Sequence, residues 1–149
     1  MHVRKRKKQK KVKSNSKDIY FNVWDRIHAY PDFLLYIFVG GRGTGKTYGS
    51  LKEFAIRAHT TRNRFIYLRR SEVEVENCCS PVSNPFKAIN ADLGTHINLK
   101  VVKDMAVITD DEDPENPEII GYAGALSTFG KFRGMDFSDV EYIVFDEFI

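Results

Sequence analysis

Apolar positions along this chain recur in two rhythms, and the switches between them predict alternating strands and helices. Leu34-Leu35-Tyr36-Ile37-Phe38-Val39 is an unbroken apolar run, the pattern of a strand buried on both faces of a parallel sheet. Just beyond it Leu51, Phe54, Ala55 and Ala58 fall at helical spacing, which predicts a helix with one buried face. Arg64-Phe65-Ile66-Tyr67-Leu68 predicts a second strand, with Arg69 and Arg70 emerging at its ligand-facing edge. Ser71 caps a short helix through Glu76, and Asn84-Pro85-Phe86 opens another to about Asp92. Residues 96–100 and 105–109 predict strands, and residues 119–126 a partner strand whose small side chains allow close packing. The acidic, proline-broken stretch 110–118 between them predicts a solvated hairpin tip. Its spacing does not match an EF-hand calcium loop, which needs a central glycine and a glutamate at the last of twelve positions. Val140-Glu141-Tyr142-Ile143-Val144-Phe145 forms a final strand with one polar interruption.

Composition bounds this α/β reading. A chain of 149 residues with 42 % hydrophobic side chains buries one core and is too short for two well-formed domains. No apolar run approaches the roughly 20 residues of a membrane span, and the N-terminus is too basic and polar for a secretory signal. A cytosolic setting without a membrane partner is expected. Cys78 and Cys79 are adjacent, which suits neither a disulfide framework nor a zinc site, so they read as free thiols. Charge is distributed unevenly: residues 1–17 carry nine Lys or Arg and no acid. That leaves 14 basic against 20 acidic residues in the remainder, a net of −6 beneath the overall +3. With almost no apolar content this tail is expected to be disordered in isolation and to bind a polyanion through counterion release. A solubility tail or a vector-derived segment is the plain alternative.

Two motifs place chemistry on this frame. Gly40, Gly41, Arg42, Gly43, Thr44, Gly45, Lys46 and Thr47 match G-x-x-x-x-G-K-[ST] in full, between the first strand and the first helix. A loop wrapping a polyphosphate needs backbone angles closed to residues with a Cβ, and N–H groups that converge on the anion unobstructed. Lys46 then reaches the β- and γ-phosphates, and the Thr47 hydroxyl becomes a Mg²⁺ ligand. Binding of a nucleoside triphosphate is expected, against the alternative of a glycine-rich turn with a solvated lysine. At the far end, Asp146 and Glu147 follow strand 140–145 in the manner of a Walker B strand. Open α/β sheets bind ligands beyond the carboxyl ends of their strands, which brings this pair toward the loop. Asp146 can hold Mg²⁺, directly or through water, and Glu147 can polarise an attacking water. An acidic turn after an ordinary strand is the alternative.

Three blocks in order, Phe38-Val39-Gly40-Gly41-Arg42-Gly43-Thr44-Gly45-Lys46-Thr47-Tyr48, Phe65-Ile66-Tyr67-Leu68-Arg69-Arg70 and Ile143-Val144-Phe145-Asp146-Glu147-Phe148, carry a family resemblance. The chain resembles the DNA-packaging ATPases of small tailed bacteriophages of the phi-twenty-nine-like group, relatives of the large terminase subunits. The likeness runs over residues 20–149. It implies a P-loop NTPase of the additional-strand, catalytic-glutamate class, with a mostly parallel sheet flanked by helices and with ATP and Mg²⁺ bound. It further implies a homo-oligomeric ring at the portal of a procapsid in the host cytoplasm, driving double-stranded DNA inward. Packaging RNA is a further partner that the resemblance raises. Carried over by residue, Arg42 resembles the loop arginine of terminases, Lys46 and Thr47 the phosphate and Mg²⁺ ligands, Asp146 the metal-associated acid, and Glu147 the catalytic glutamate. Lys131 and Arg133 lie where related motors place cations that reach a neighbouring subunit's nucleotide. Arginine suits that task because its planar fork stays charged, while the alternative is a surface loop with two ordinary cations.

The chain departs from the family in two ways. Its relatives continue past the Walker B strand with further core strands, a coupling segment and a nuclease-like domain, whereas this sequence stops three residues after Asp146. In the additional-strand class the strand between the P-loop strand and the Walker B strand comes later in sequence. Residues 18–149 are therefore expected to form the N-terminal part of the ATPase domain, lacking a central strand and inactive alone. The basic tail, residues 1–17, is the second departure. A helicase or other DNA-translocating ATPase fits the same residues, as does a nucleotide-gated DNA-binding module without turnover. No Asn-Lys-x-Asp guanine-reading motif is present to favour a GTPase.

Overall fold

The computed structural model describes residues 22–146, so the basic tail and Glu147 lie outside the described residues. Four α-helices are described: α1 (Val23–Ala29), α2 (Lys46–Thr61), α3 (Glu72–Cys78) and α4 (Lys87–Leu93). Five strands, β1 (Arg64–Arg69), β2 (Ile97–Val102), β3 (Met105–Asp110), β4 (Glu118–Ala125) and β5 (Val140–Phe145), form one sheet in the order β2-β3-β4-β1-β5. A 3₁₀ segment, Leu126–Phe132, leads from β4 toward β5.

Local chemistry sets the helix ends. The Asn22 side chain accepts from the Trp24 and Asp25 amides at 3.0 and 3.2 Å and so starts α1. Ser71 and Glu74 form a capping box at α3, the reciprocal arrangement that satisfies two orphan amides. Helix α2 is flanked by Gly45 and Arg62 as its caps, both left-handed, and the Arg62 amide closes on the Ala58 carbonyl at 3.1 Å. Leu51, Phe54, Ala55 and Ala58 are all buried, as their spacing predicts.

The α2 face of the sheet holds the larger cluster, including Leu51, Phe65, Tyr67, Phe86 and Ile89. The opposite face packs Ile66, Leu68, Val107 and Tyr122 against Phe132 and Phe137. Strand β1 is buried along nearly its whole length because β4 and β5 flank it and both its faces are covered. Gly121 permits the close approach that its small neighbours suggest. A Cβ there would lie 2.7 Å from the Phe65 carbonyl oxygen.

Two expectations need correction. The sheet is mixed, not mostly parallel in its ladders: β4–β1 and β1–β5 are parallel, while β2–β3 and β3–β4 are antiparallel. Lys103 and Asp104, both at positive φ, make a two-residue turn that sends β3 back along β2, and the acidic hairpin tip turns the chain again into β4. The second correction concerns residues 34–39, expected as a buried strand. They join no ladder, and Leu34, Leu35, Ile37 and Val39 are 62 to 105 % exposed. Only Tyr36 and Phe38 turn against the core, stacked on each other at 6.5 Å. A two-faced buried strand needs neighbours along its edges. Among the described residues β5 ends the sheet on this side, with Ile143 58 % exposed. A cleft of about 210 Å³, lined by Trp24, Phe33, Tyr36, Arg57 and Tyr142 among others, lies between residue 36 and β5.

Candidate functional site

The carboxyl ends of β1 and β5 meet the N-terminus of α2, and the glycine-rich loop closes over that corner. Gly43 and Gly45 have φ of +77° and +83°, values a Cβ disfavours, so the loop's turn depends on glycine at these two places. The Thr44 hydroxyl bonds the Gly41 carbonyl at 3.1 Å. Lys46 folds back across the loop. Its ammonium donates to the Gly40 and Gly41 carbonyls at 2.8 Å each and to Thr44 Oγ1 at 3.0 Å, which matches all three of its protons. Arg42 is exposed on the loop.

The contact that unites the two motifs is short. Thr47 Oγ1 donates to Asp146 Oδ1 at 2.8 Å, joining residues that are 99 positions apart in sequence. Backbone register explains why Asp146 is there: Leu68 pairs with Phe145, and the Asp146 amide donates to the Leu68 carbonyl at 3.1 Å, extending the ladder by one residue. Asp146 consequently lies opposite Arg69. Arg69 Nη1 donates to Asp146 Oδ2 at 2.8 Å, and the Tyr67 hydroxyl lies 3.3 Å from both Oδ2 and Nη1. Burial, and secondarily the charge of Asp146, push the Tyr67 phenol far up, so it stays protonated and available as a donor.

Of the paired arginines at the carboxyl end of β1, Arg69 faces the loop corner through Asp146, at the edge where both were expected, while Arg70 is exposed and bonds Glu74 at 3.2 Å. Tyr67 is a functional neighbour that the motifs alone do not single out. Its signal was the period of two in β1, which sets Phe65, Tyr67 and Arg69 on the face that α2 covers.

The basic loop is built on a different anchor. The Phe132 ring rests on Gly124, where an added Cβ would come within 2.4 Å of it, and the Ser127 amide donates to the Arg70 carbonyl at 3.3 Å. Lys131 is tied to Glu72 at the start of α3, a hydrogen bond that holds the Glu72 carboxyl below its ordinary range and raises the lysine. Arg133 is exposed, with no side-chain hydrogen bond or ion pair among the described residues. Neither cation touches Lys46, Thr47 or Asp146 within this chain.

These residues suit a triphosphate with a divalent ion. The left-handed glycines keep Cβ atoms out of the loop, Lys46 supplies a charge, and Thr47 and Asp146 present two hard oxygens side by side. No cluster of three or more His, Cys, Asp or Glu able to hold a metal occurs among the described residues. No helix of the described residues is long and apolar enough to cross a membrane.

A model of the podovirus DNA encapsidation protein (Gp16) family matches residues 15–149. Among solved structures, the N-terminal domain of the DNA packaging ATPase from bacteriophage phi29 is similar at 27 % identity and a TM-score of 0.66, over 87 % of this chain and 60 % of that one. A chain of the bacteriophage Phi-29 viral genome packaging motor assembly is similar at 27 % identity and a TM-score of 0.64, over 88 % of this chain and 36 % of that one. The chain thus spans less than two thirds of either relative. No curated protein sequence matches significantly.

Proposed function

The chain belongs to the podovirus DNA encapsidation protein (Gp16) family, and from that premise we propose that it is the nucleotide-binding part of a packaging motor. In this reading, ATP hydrolysis drives double-stranded DNA into a procapsid, and a ring of copies acts at the portal. The observation that carries it is the 2.8 Å bond between Thr47 and Asp146. It joins the phosphate loop to the acid that a Mg²⁺ site there would use, which supports a metal–nucleotide reading of the corner.

Each group has a task in that chemistry. Lys46 exchanges its loop carbonyls for β- and γ-phosphate oxygens, and Arg42 stands by on the same loop. Thr47 and Asp146 would hold Mg²⁺, which would supply positive charge to the transferring phosphoryl. Glu147 orients the attacking water as general base, and Arg133 reaches the nucleotide of a neighbouring subunit. A P-loop ATPase of the additional-strand class has one more strand between residues 34–39 and β5. The cleft there, and the exposed apolar side chains beside it, support that place for it.

Residues 1–17 supply sequence-independent contact with DNA phosphates through their nine cations. Deleting them is expected to flatten the fall of DNA affinity with salt, by roughly 0.9 in log–log slope for each phosphate that the tail neutralises. An unchanged slope in the deletion variant would show that the tail never meets phosphate.

The function is tested by measuring ATP turnover and DNA uptake together, with the full-length protein on procapsids. Turnover that rises with double-stranded DNA and is matched by uptake is the expected result. Turnover with DNA but no engagement of procapsids would indicate another translocating ATPase or a helicase. Nucleotide binding without turnover would indicate a gated DNA-binding module.

A further inference from the structure

We propose that Tyr67 is a positioning residue: its hydroxyl holds one oxygen of Asp146 so that the other stays against Thr47, and it thereby sets the Mg²⁺ affinity of the nucleotide site. This rests on the ATPase reading above and deepens it.

The geometry is a closed triangle. Asp146 Oδ2, Arg69 Nη1 and the Tyr67 oxygen are separated by 2.8, 3.3 and 3.3 Å. A phenol has one proton to donate and lone pairs to accept, so it can donate to the carboxylate while accepting from the guanidinium. Both donors converge on Oδ2. Oδ1 is left to the Thr47 hydroxyl at 2.8 Å, which is the side where a metal ion would sit. Without the phenol, Oδ2 keeps the Arg69 guanidinium, itself also paired with Glu74 at 3.9 Å, but loses the donor that fixes the carboxylate from the side of β1.

Packing does not require that hydroxyl. The Tyr67 ring is 1 % exposed, inside the cluster that contains Leu51, Phe86 and Ile89. Two residues earlier on the same face, Phe65 fills an equally buried place without an oxygen. A buried hydroxyl costs free energy unless it is hydrogen-bonded, so its presence in this apolar wall calls for a partner. Its partners are Asp146, the Arg69 guanidinium that balances that acid, and the thiol of Cys78. The ring also cannot wander, which makes the phenol a fixed reference point that a surface side chain could not provide.

The test uses Tyr67→Phe in the full-length protein, with binding of a fluorescent ATP analogue followed as Mg²⁺ is titrated. The expected result is a Mg²⁺ midpoint raised about tenfold, the lower end for a hydrogen bond to a charged acceptor. Nucleotide affinity in EDTA and the melting temperature should match wild type, because the ring and its packing are retained. A second variant guards the interpretation. In a Thr47→Ala background the shift caused by Tyr67→Phe should shrink to less than about threefold, since contacting residues that act as a unit are non-additive. A Mg²⁺ midpoint within twofold of wild type overturns the proposal. Equal losses of affinity with Mg²⁺ and in EDTA, alongside a lowered melting temperature, overturn it too by reducing Tyr67 to a structural residue. If the wild-type protein itself shows no Mg²⁺-dependent nucleotide binding, the ATPase reading fails and this inference falls with it.

Discussion

Lys46→Ala in the full-length protein is expected to abolish ATP turnover. The ammonium already satisfies its three protons on the Gly40 and Gly41 carbonyls and on Thr44 Oγ1, so it is held over the loop where phosphates would lie. Triphosphate oxygens are stronger acceptors than these neutral groups because they are charged. Exchange of one set for the other is therefore downhill. Arg42, the other cation on the loop, is exposed and does not lie across the loop as Lys46 does, and Arg69 is tied to Asp146, so neither occupies the place that Lys46 leaves. The fold should survive. Lys46 is the first residue of α2, and alanine is the best helix former. Release of inorganic phosphate by a variant that melts with wild type checks the prediction, and turnover within a few-fold of wild type would remove the phosphate-loop assignment.

Arg133→Ala is expected to leave ATP binding normal and slow hydrolysis by about 10³-fold or more in an assembled ring, the range known for an arginine supplied in trans. Within one chain Arg133 is exposed and touches none of Lys46, Thr47 and Asp146, as a residue serving a neighbouring subunit should. Its companion Lys131 is tied to Glu72. The loop's shape depends on Phe132 seated over Gly124 and on Gly134 at φ +82°, so truncating Arg133 beyond its Cβ should not disturb it. Mixed rings make the test decisive. Arg133→Ala subunits and Glu147→Gln subunits, each nearly inactive alone, should recover activity when combined, because some interfaces then pair an intact Glu147 with a neighbour's intact Arg133. If mixed rings give no more than the two variants separately, while both assemble like wild type, Arg133 acts within its own subunit or not at all.

Local elements were legible in the sequence because each has a local cause. Strand 140–145 reads from its apolar run, α2 from the spacing of Leu51, Phe54, Ala55 and Ala58, and α3 from Ser71 as its cap. The glycine-rich loop is legible for the same reason, since its residue types answer to backbone angles within eight consecutive positions. Other features depend on distant partners. The apolar run 34–39 has the content of a buried strand, yet a strand exists only as half of a ladder, and no partner for it occurs among the described residues. The parallel or antiparallel sense of each pair was likewise invisible, because periodicity reports which face is buried and not which neighbour lies alongside. Motif spacing placed Thr47 and Asp146 in one reading and Arg69 at the ligand-facing edge, but could not bring Thr47 and Asp146 to 2.8 Å, and it passed over Tyr67. Tyr67 became part of the site only when the β1–β5 register set Arg69 opposite Asp146, with the Tyr67 hydroxyl beneath both. By itself the sequence determined which loop can wrap an anion and which elements surround it. The tertiary structure decided which carboxylate oxygen faces the loop and what holds it there, because that depends on hydrogen bonds between residues almost eighty positions apart.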